Sequence, residues 1–287
     1  MNRSTEKTRE PRKNKGREKV RLDVLLVSLG LAETRERAQR HILAHEVTVD
    51  GRTASKAGER VPADADVRLT APERYVGRGA LKLEAALRAF AVDPTGLACA
   101  DIGASTGGFT DCLLQHGARR VFALDVGRTQ LHERVRTDPR VTVLDHTNAR
   151  AIHAGTFREP PDLFAVDVSF ISVRMILPAL ADAARPGVRA VVLVKPQFEA
   201  GRAEAGRGRG VIRSADTHRR VLAEVAGAAS ACGWVPAGLV ASPVLGGAGN
   251  REFLLLLERA EPGARPAGGF DIDAGIARAC MEPTAGA

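Results

Sequence analysis

The sequence predicts an α/β fold in which a doubly wound, mostly parallel sheet follows a small α+β module. Two patterns carry this expectation. From Leu97 onward, apolar runs at residues 99–103, 120–125, 141–144, 163–168, 190–194, 234–241 and 253–257 alternate with helix-forming stretches, and such alternation places helices on both faces of a parallel sheet. Residues 20–70 read differently, as two short helices and a hairpin. A chain of 287 residues with 44% hydrophobic content has room for both units.

Taken in order, residues 1–19 hold eight Lys/Arg against three Glu and nothing apolar beyond Met1. They can bury nothing and are expected to be a disordered basic tail. The net charge of +8 points to an anionic partner, but the tail carries five of these charges, and residues 20–70 are balanced at eight against eight. Residues 21–30 form an amphipathic pattern that Gly30 can end in the left-handed conformation. Thr34 can cap a second helix with Ala38 and Ile42 on one face and Arg37, Arg40 and His41 on another. A strand at residues 47–49 then enters an Asp50-Gly51 turn, and residues 67–69 supply a partner. Residues 71–80, with their Pro and Gly, read as a linker. The main domain spans 81–260, beginning with a helix over 81–90.

Little separates the last two apolar runs except a Gly-rich turn, so they should pair antiparallel. A reversed last strand is a feature of class I methyltransferases that dinucleotide-binding Rossmann domains usually lack, and the expectation is a seven-stranded class I domain. Residues 261–287, rich in Ala, Gly and Pro, are expected to be a disordered tail. The sequence contains no secretory signal and no apolar run of membrane-spanning length. Its four cysteines (Cys99, Cys112, Cys232, Cys280) show no zinc spacing. A reduced, cytoplasmic, monomeric protein without metal is the expectation.

The run from Cys99 to Thr110 follows the first strand of the main domain and opens a helix. Gly103, Gly107 and Gly108 let the backbone turn and approach a ligand, flanked by Ser105, Thr106 and Phe109. Asp125 ends the next strand, where a carboxylate can accept from both ribose hydroxyls of a nucleoside. S-adenosylmethionine has no pyrophosphate, and its sulfonium and ammonium favour nearby acids such as Asp101 and Asp125. Asp145 could contact the adenine amino group, with Asn148 nearby, or could equally cap a helix.

Lys82, Asp167, Lys195 and Glu252 stand at element ends. A lysine directly after Ala-Val-Val-Leu-Val has a buried stem, and desolvation or a second cation would lower its pKa, making Lys195 a candidate base. Ordinary salt bridges at strand ends remain the alternative for each residue taken singly.

Five motifs, R-Y-V-G-R-G-A-L-K-L, D-I-G-A-S-T-G-G-F-T-D, V-D-V-S-F-I-S, L-V-K-P-Q-F-E and G-N-R-E-F, together resemble the TlyA family, often labelled hemolysin A. This family joins an S4 RNA-binding domain to an FtsJ-like 2′-O-methyltransferase. The resemblance covers roughly residues 20–258 in matching order. It implies that Lys82, Asp167, Lys195 and Glu252 form a catalytic tetrad. The implied substrate is a cytidine ribose in small-subunit rRNA, large-subunit rRNA or both, presented within ribosomal subunits. It further implies that Arg35, Arg37, Arg40 and His41 face folded RNA, although a three-Arg helix face can also be simply solvated. On this reading Lys195 removes the 2′-hydroxyl proton, Lys82 holds the oxygen and the two acids position the ammonium groups.

The loop at 199–210 is Gly-rich and could close Arg202, Arg207 and Arg209 over RNA phosphates, or be a solvated connector. An aromatic content of 4% argues for shape and phosphate contacts over extensive base stacking. Three other functions fit the sequence less well. Base methylation is the first: cytosine C5 chemistry needs a cysteine nucleophile that no run supplies, and an adenine N6 enzyme would carry an Asn/Asp-Pro-Pro-aromatic loop where this chain has Asp167-Val168-Ser169-Phe170. A non-catalytic ribosome assembly factor would not need the tetrad. A pore-forming toxin, suggested by the hemolysin label, finds no apolar span.

Overall fold

A computed structural model describes residues 19–69, 74–127, 130–201, 204, 206, 208, 210–261 and 269–281. The chain divides into two compact units, Met1–Arg74 and Tyr75–Ala287. The expected tail before Lys19, and Arg202, Arg207 and Arg209, lie outside the described residues.

In the first unit, β1 (Lys19–Arg21) leads into α1 (Leu22–Ser28), and Gly30 takes a φ of 69° after the helix. The Thr34 side chain accepts from the Arg37 N–H at 3.2 Å and starts α2 (Arg35–Leu43). Then come β2 (Val47–Val49), β3 (Arg52–Thr53), β4 (Arg60–Pro62) and β5 (Val67–Leu69), with β2 between β3 and β5. A separate antiparallel pair, β1 with β4, has no counterpart in the sequence reading because three-residue edge strands leave no periodic signal. Leu22, Leu26, Ala38, Ile42 and Val47 are fully buried in the unit's core.

The second unit contains α3 (Gly79–Ala89), β6 (Ala98–Ile102), α4 (Gly108–Gln115), β7 (Arg120–Leu124), α5 (Glu133–Arg136), β8 (Val141–Leu144), β9 (Leu163–Val166), α6 (Leu177–Ala183), β10 (Arg189–Val194), α7 (Pro196–Glu199), α8 (Ala215–Ala231), β11 (Trp234–Ala241), β12 (Phe253–Arg259) and α9 (Ile272–Met281). The seven strands follow the order β11-β12-β10-β9-β6-β7-β8. Only β12 is reversed, and it inserts between β10 and β11, antiparallel to both. Alternate strand residues point to opposite faces, and both faces are apolar: Phe164 and Val166 pack with Trp234 and Phe253 on one side, while Leu163 and Ala165 pack with Leu83 and Leu113 on the other. The sheet is therefore buried on both sides, as its continuous apolar runs require.

Two segments differ from expectation. From Tyr75 onward the supposed linker belongs to the second unit: Tyr75 is buried, and the Val76 N–H donates to Asp111 on α4 at 2.8 Å. The supposed C-terminal tail contains α9, with Ile276, Ala279 and Cys280 buried. Asp271 accepts from the Ala274 N–H at 3.0 Å at the start of α9. An Ala/Gly composition hid a short apolar stripe at helical spacing, and tertiary packing rather than propensity supplies its stability.

Candidate active site

The carboxyl ends of β6, β7 and β9 frame two adjoining clefts that share Gly103, Ser105 and Asp167. The turn after β6 must approach β9 closely. A Cβ on Gly103, which sits at φ +93°, would lie 2.4 Å from the Asp167 carbonyl oxygen, so only glycine fits there. Gly107, at φ +92°, caps α4, and a Cβ on Gly108 would press on the Ala80 nitrogen at 3.2 Å, so the turn also packs against the start of α3. Asp125 receives N–H groups from Ser105 and Gly127, each at 3.0 Å. One cleft is lined by Asp125, Asn148, Leu124, Val126, Ile171 and Ile176, a mostly apolar wall with polar groups along it. The other contains Arg78, Lys82, Thr106, Phe109 and Asp167.

Asp101 does not line either cleft. It is fully buried beneath the turn, where Thr110 Oγ1 donates to its Oδ2 at 2.6 Å and its Oδ1 has no hydrogen-bond partner among the described residues. Burial pushes its carboxyl up to about 7; the Thr110 hydrogen bond opposes this, and the neighbouring charges of Asp167 and Asp125 add to it. Asp101 thus supports the turn from below. Asp145 is half-buried after β8 and is absent from the lining of both clefts. Asn148 lines the apolar cleft, and its side chain also accepts from the Arg150 N–H at 3.0 Å.

The four charges expected from the sequence form two ion pairs. Lys82 Nζ on α3 donates to Glu252 Oε2 at 2.5 Å, with Glu252 only 2% exposed. Lys195 Nζ, at the end of β10, lies 2.6 Å from Asp167 Oδ1 and donates to Ser169 Oγ at 2.7 Å. A Cβ on Gly79 would come 3.9 Å from Asp167 Oδ2, which places the beginning of α3 beside that carboxylate. Chain packing permits no bulk near Glu252 either: a Cβ on Gly246 would sit 1.9 Å from its Oε1. Gln197 Nε2 donates to the same oxygen at 3.4 Å.

Several contributors fall within the quoted motifs but were given no role by the sequence. Ser169 is one, and Glu199 is another: its buried carboxylate accepts from Ser172 Oγ at 2.5 Å and the Val173 N–H at 2.7 Å, tying the loop after β9 to α7. Phe170 is 92% exposed at φ +65°, and its ring centroid lies 5.3 Å from that of Phe198. An exposed aromatic in a strained loop has no signature in composition, although its place three residues after Asp167 is a usable hint.

On the first unit's α2, Arg35 is tied to the fully buried Asp23 at 3.0 Å, together with Arg21 at 2.9 Å and Gln39 at 2.9 Å. The hydrogen bond from Arg21, with those from Gln39 and Arg35, holds the Asp23 carboxyl well below the usual carboxylate range. Arg37 pairs with Glu33, and His41 Nδ1 lies 2.6 Å from Glu46. Arg37, Arg40 and His41 line one shallow depression, and Arg35 stands apart from it.

This strand order, with a reversed seventh strand and a glycine turn at the carboxyl ends, defines a class I methyltransferase fold. The chain belongs to the FtsJ-like methyltransferase family, whose model matches residues 75–259, and an S4 domain matches residues 20–67. Among its relatives is YqxC of Bacillus subtilis, described as a candidate rRNA methyltransferase, 48% identical over 83% of this chain and 85% of that one. The 16S/23S rRNA (cytidine-2′-O)-methyltransferase TlyA of Mycobacterium tuberculosis is 43% identical over 88% of this chain and 95% of its own. A solved structure from Streptococcus thermophilus, described as a candidate hemolysin, is 42% identical with a TM-score of 0.69, covering 91% of this chain and 95% of that one.

Proposed function

We propose that the protein transfers the methyl group of S-adenosylmethionine to the 2′-hydroxyl of a cytidine in ribosomal RNA. The observation that carries this reading is the two lysine–carboxylate contacts, Lys82 with Glu252 and Lys195 with Asp167, each of which sends one member, Lys82 or Asp167, into the lining of the glycine-turn cleft. The relatives named for rRNA cytidine 2′-O-methylation support the substrate.

The clefts suit the cofactor. The apolar wall of Leu124, Val126 and Ile176 fits an adenine, and Asp125 stands where ribose hydroxyls would donate. When bound, the cofactor supplies an electrophilic methyl on a sulfonium. The protein's part is to position the nucleophile and remove its proton. Lys195, oriented by Asp167 and Ser169, acts in its neutral amine form: having released its ammonium proton to solvent, it accepts the hydroxyl proton as the oxygen attacks, and Lys82, held by Glu252, donates to the same oxygen. A ribose hydroxyl needs this assistance, whereas a cytosine ring carbon would need a thiol nucleophile. Cys99 and Cys112 are buried within the fold, away from the cleft linings. Phe170, exposed at the cleft edge, offers a face on which a displaced base can stack. On the first unit, Arg37, Arg40 and His41 give a compact phosphate-binding face, and Arg35 turns one edge of its guanidinium to Asp23.

Incubation with labelled S-adenosylmethionine and separate small and large ribosomal subunits, followed by mapping of 2′-O-methyl positions, tests the reading. Label on a cytidine ribose is expected; label on a base alone, or on neither subunit, would refute it.

A further inference from the structure

Arg251 stands between two side chains with defined partners. Asn250 is buried, accepts from the Ile212 N–H at 3.0 Å and donates to the Gly210 carbonyl at 2.8 Å. Glu252 holds Lys82. Successive side chains of an extended chain point to opposite faces, and this alternation runs into β12: Leu254 and Leu256 face the α3 side, while Phe253 and Leu255 face the other. Glu252 accordingly reaches α3, and Arg251 reaches the opposite face, where it meets the end of α9. Its Nη1 donates to the Cys280 carbonyl at 3.0 Å and its Nη2 to the Ala279 carbonyl at 2.6 Å. The guanidinium also lies 5.5 Å from the Phe253 ring centroid.

The last carbonyls of a helix have no intrahelical donor and carry the negative end of its dipole, so a forked cation satisfies both needs. The anchor is itself fixed, because Ile276, Ala279 and Cys280 are buried in the core on that side of the sheet. It also lies beyond residue 259, where the methyltransferase family match ends.

We propose that Arg251 is a positioning residue, and that α9 sets the Glu252 carboxylate for Lys82 by gripping Arg251 from the far side of the sheet. This rests on the reading of Lys82 and Glu252 as parts of the transfer site. A C-terminal helix outside the catalytic family core then governs the rate at the catalytic face, acting through one side chain. A simple staple for α9 would instead affect stability alone.

The test compares full-length wild type, Arg251→Met, Arg251→Lys and a chain ending at residue 268. Positioning predicts that Arg251→Met lowers kcat on ribosomal subunits by about 10- to 100-fold, since a displacement of roughly 1 Å at a positioned group has that scale of effect. KM and the Kd for S-adenosylmethionine should stay unchanged. Arg251→Lys, which can reach one carbonyl, should recover part of the rate. The truncation and Arg251→Met should not add when combined, because they remove two ends of one interaction. Amide hydrogen exchange over residues 244–253 should accelerate in Arg251→Met whether or not any substrate is turned over. Unchanged exchange, a wild-type kcat in Arg251→Met, or a rate loss that follows the unfolded fraction would overturn the proposal. If the truncated chain does not fold, the Met and Lys variants and the exchange data decide it. Wild-type protein that labels no ribosomal RNA counts against the functional reading, and exchange still tests Arg251 independently.

Discussion

Gly246 illustrates how little room the carboxylate proposed to steady Lys82 has. A methyl group there would fall 1.9 Å from Glu252 Oε1, and the carboxylate would have to shift from the position in which it holds Lys82. Gly246→Ala should therefore lower kcat by about tenfold or more while leaving cofactor affinity intact, as steady-state rates and calorimetric titration would show. Asp101 makes a different prediction. Its folded-state pKa, pushed up to about 7, exceeds its unfolded value near 4, so the folded protein holds a proton that the unfolded chain releases. Its contribution to stability is present below about pH 4 and is lost as pH rises toward 7. Asp101→Asn stays neutral throughout. Between pH 5 and pH 8 the melting temperature of ligand-free wild type should fall relative to that of Asp101→Asn, and parallel profiles would refute the assignment. At this scale all four charges of the site were legible in the sequence, but their partnering was not. Lys82 with Glu252 and Lys195 with Asp167 are contacts between distant segments, which spacing along the chain does not encode. Ser169 and Phe170 were visible within a motif, but the contact of Ser169 with Lys195 and the exposure of Phe170 were not.

Elements were legible where burial imposed a pattern. The inner strands of the large sheet are buried on both faces, while the edge strands β8 and β11 are partly buried, and the apolar runs marked β6 to β12 nearly to the residue. The hairpin of β11 and β12 could be expected from the turn between them, whereas the insertion of β12 beside β10 is a matter of topology that adjacency cannot supply. Helix α9 reads as tail in the sequence because its stripe of Ile272, Ile276, Ala279 and Cys280 is short and set among Ala and Gly. In α2 the cap was legible, and its energetics can be checked. Thr34→Ala removes the acceptor for the Arg37 N–H and should destabilise the first unit by about 1 kcal/mol, measurable by denaturant titration.

For the whole molecule, the division at Arg74 and Tyr75 separates two chemistries. Every residue lining the two clefts lies in the second unit, and the basic face of α2 lies in the first. Variants Arg37→Ala and Arg40→Ala should therefore weaken rRNA binding and flatten its salt dependence, by roughly one unit of slope for each phosphate no longer neutralised, without altering S-adenosylmethionine affinity. Net charge was a poor guide to this arrangement, because most of the excess lies in the first nineteen residues. No helix among the described residues is long and apolar enough to cross a membrane. Lys195, as the group that takes the ribose proton, is the residue on which the proposed transfer most depends. The direct measurement is single-turnover methyl transfer to ribosomal subunits by wild type and Lys195→Ala, with S-adenosylmethionine affinity measured in parallel. A fall of about 100-fold or more in rate at unchanged affinity is expected, and near-wild-type transfer by Lys195→Ala would contradict the role of Lys195 as base.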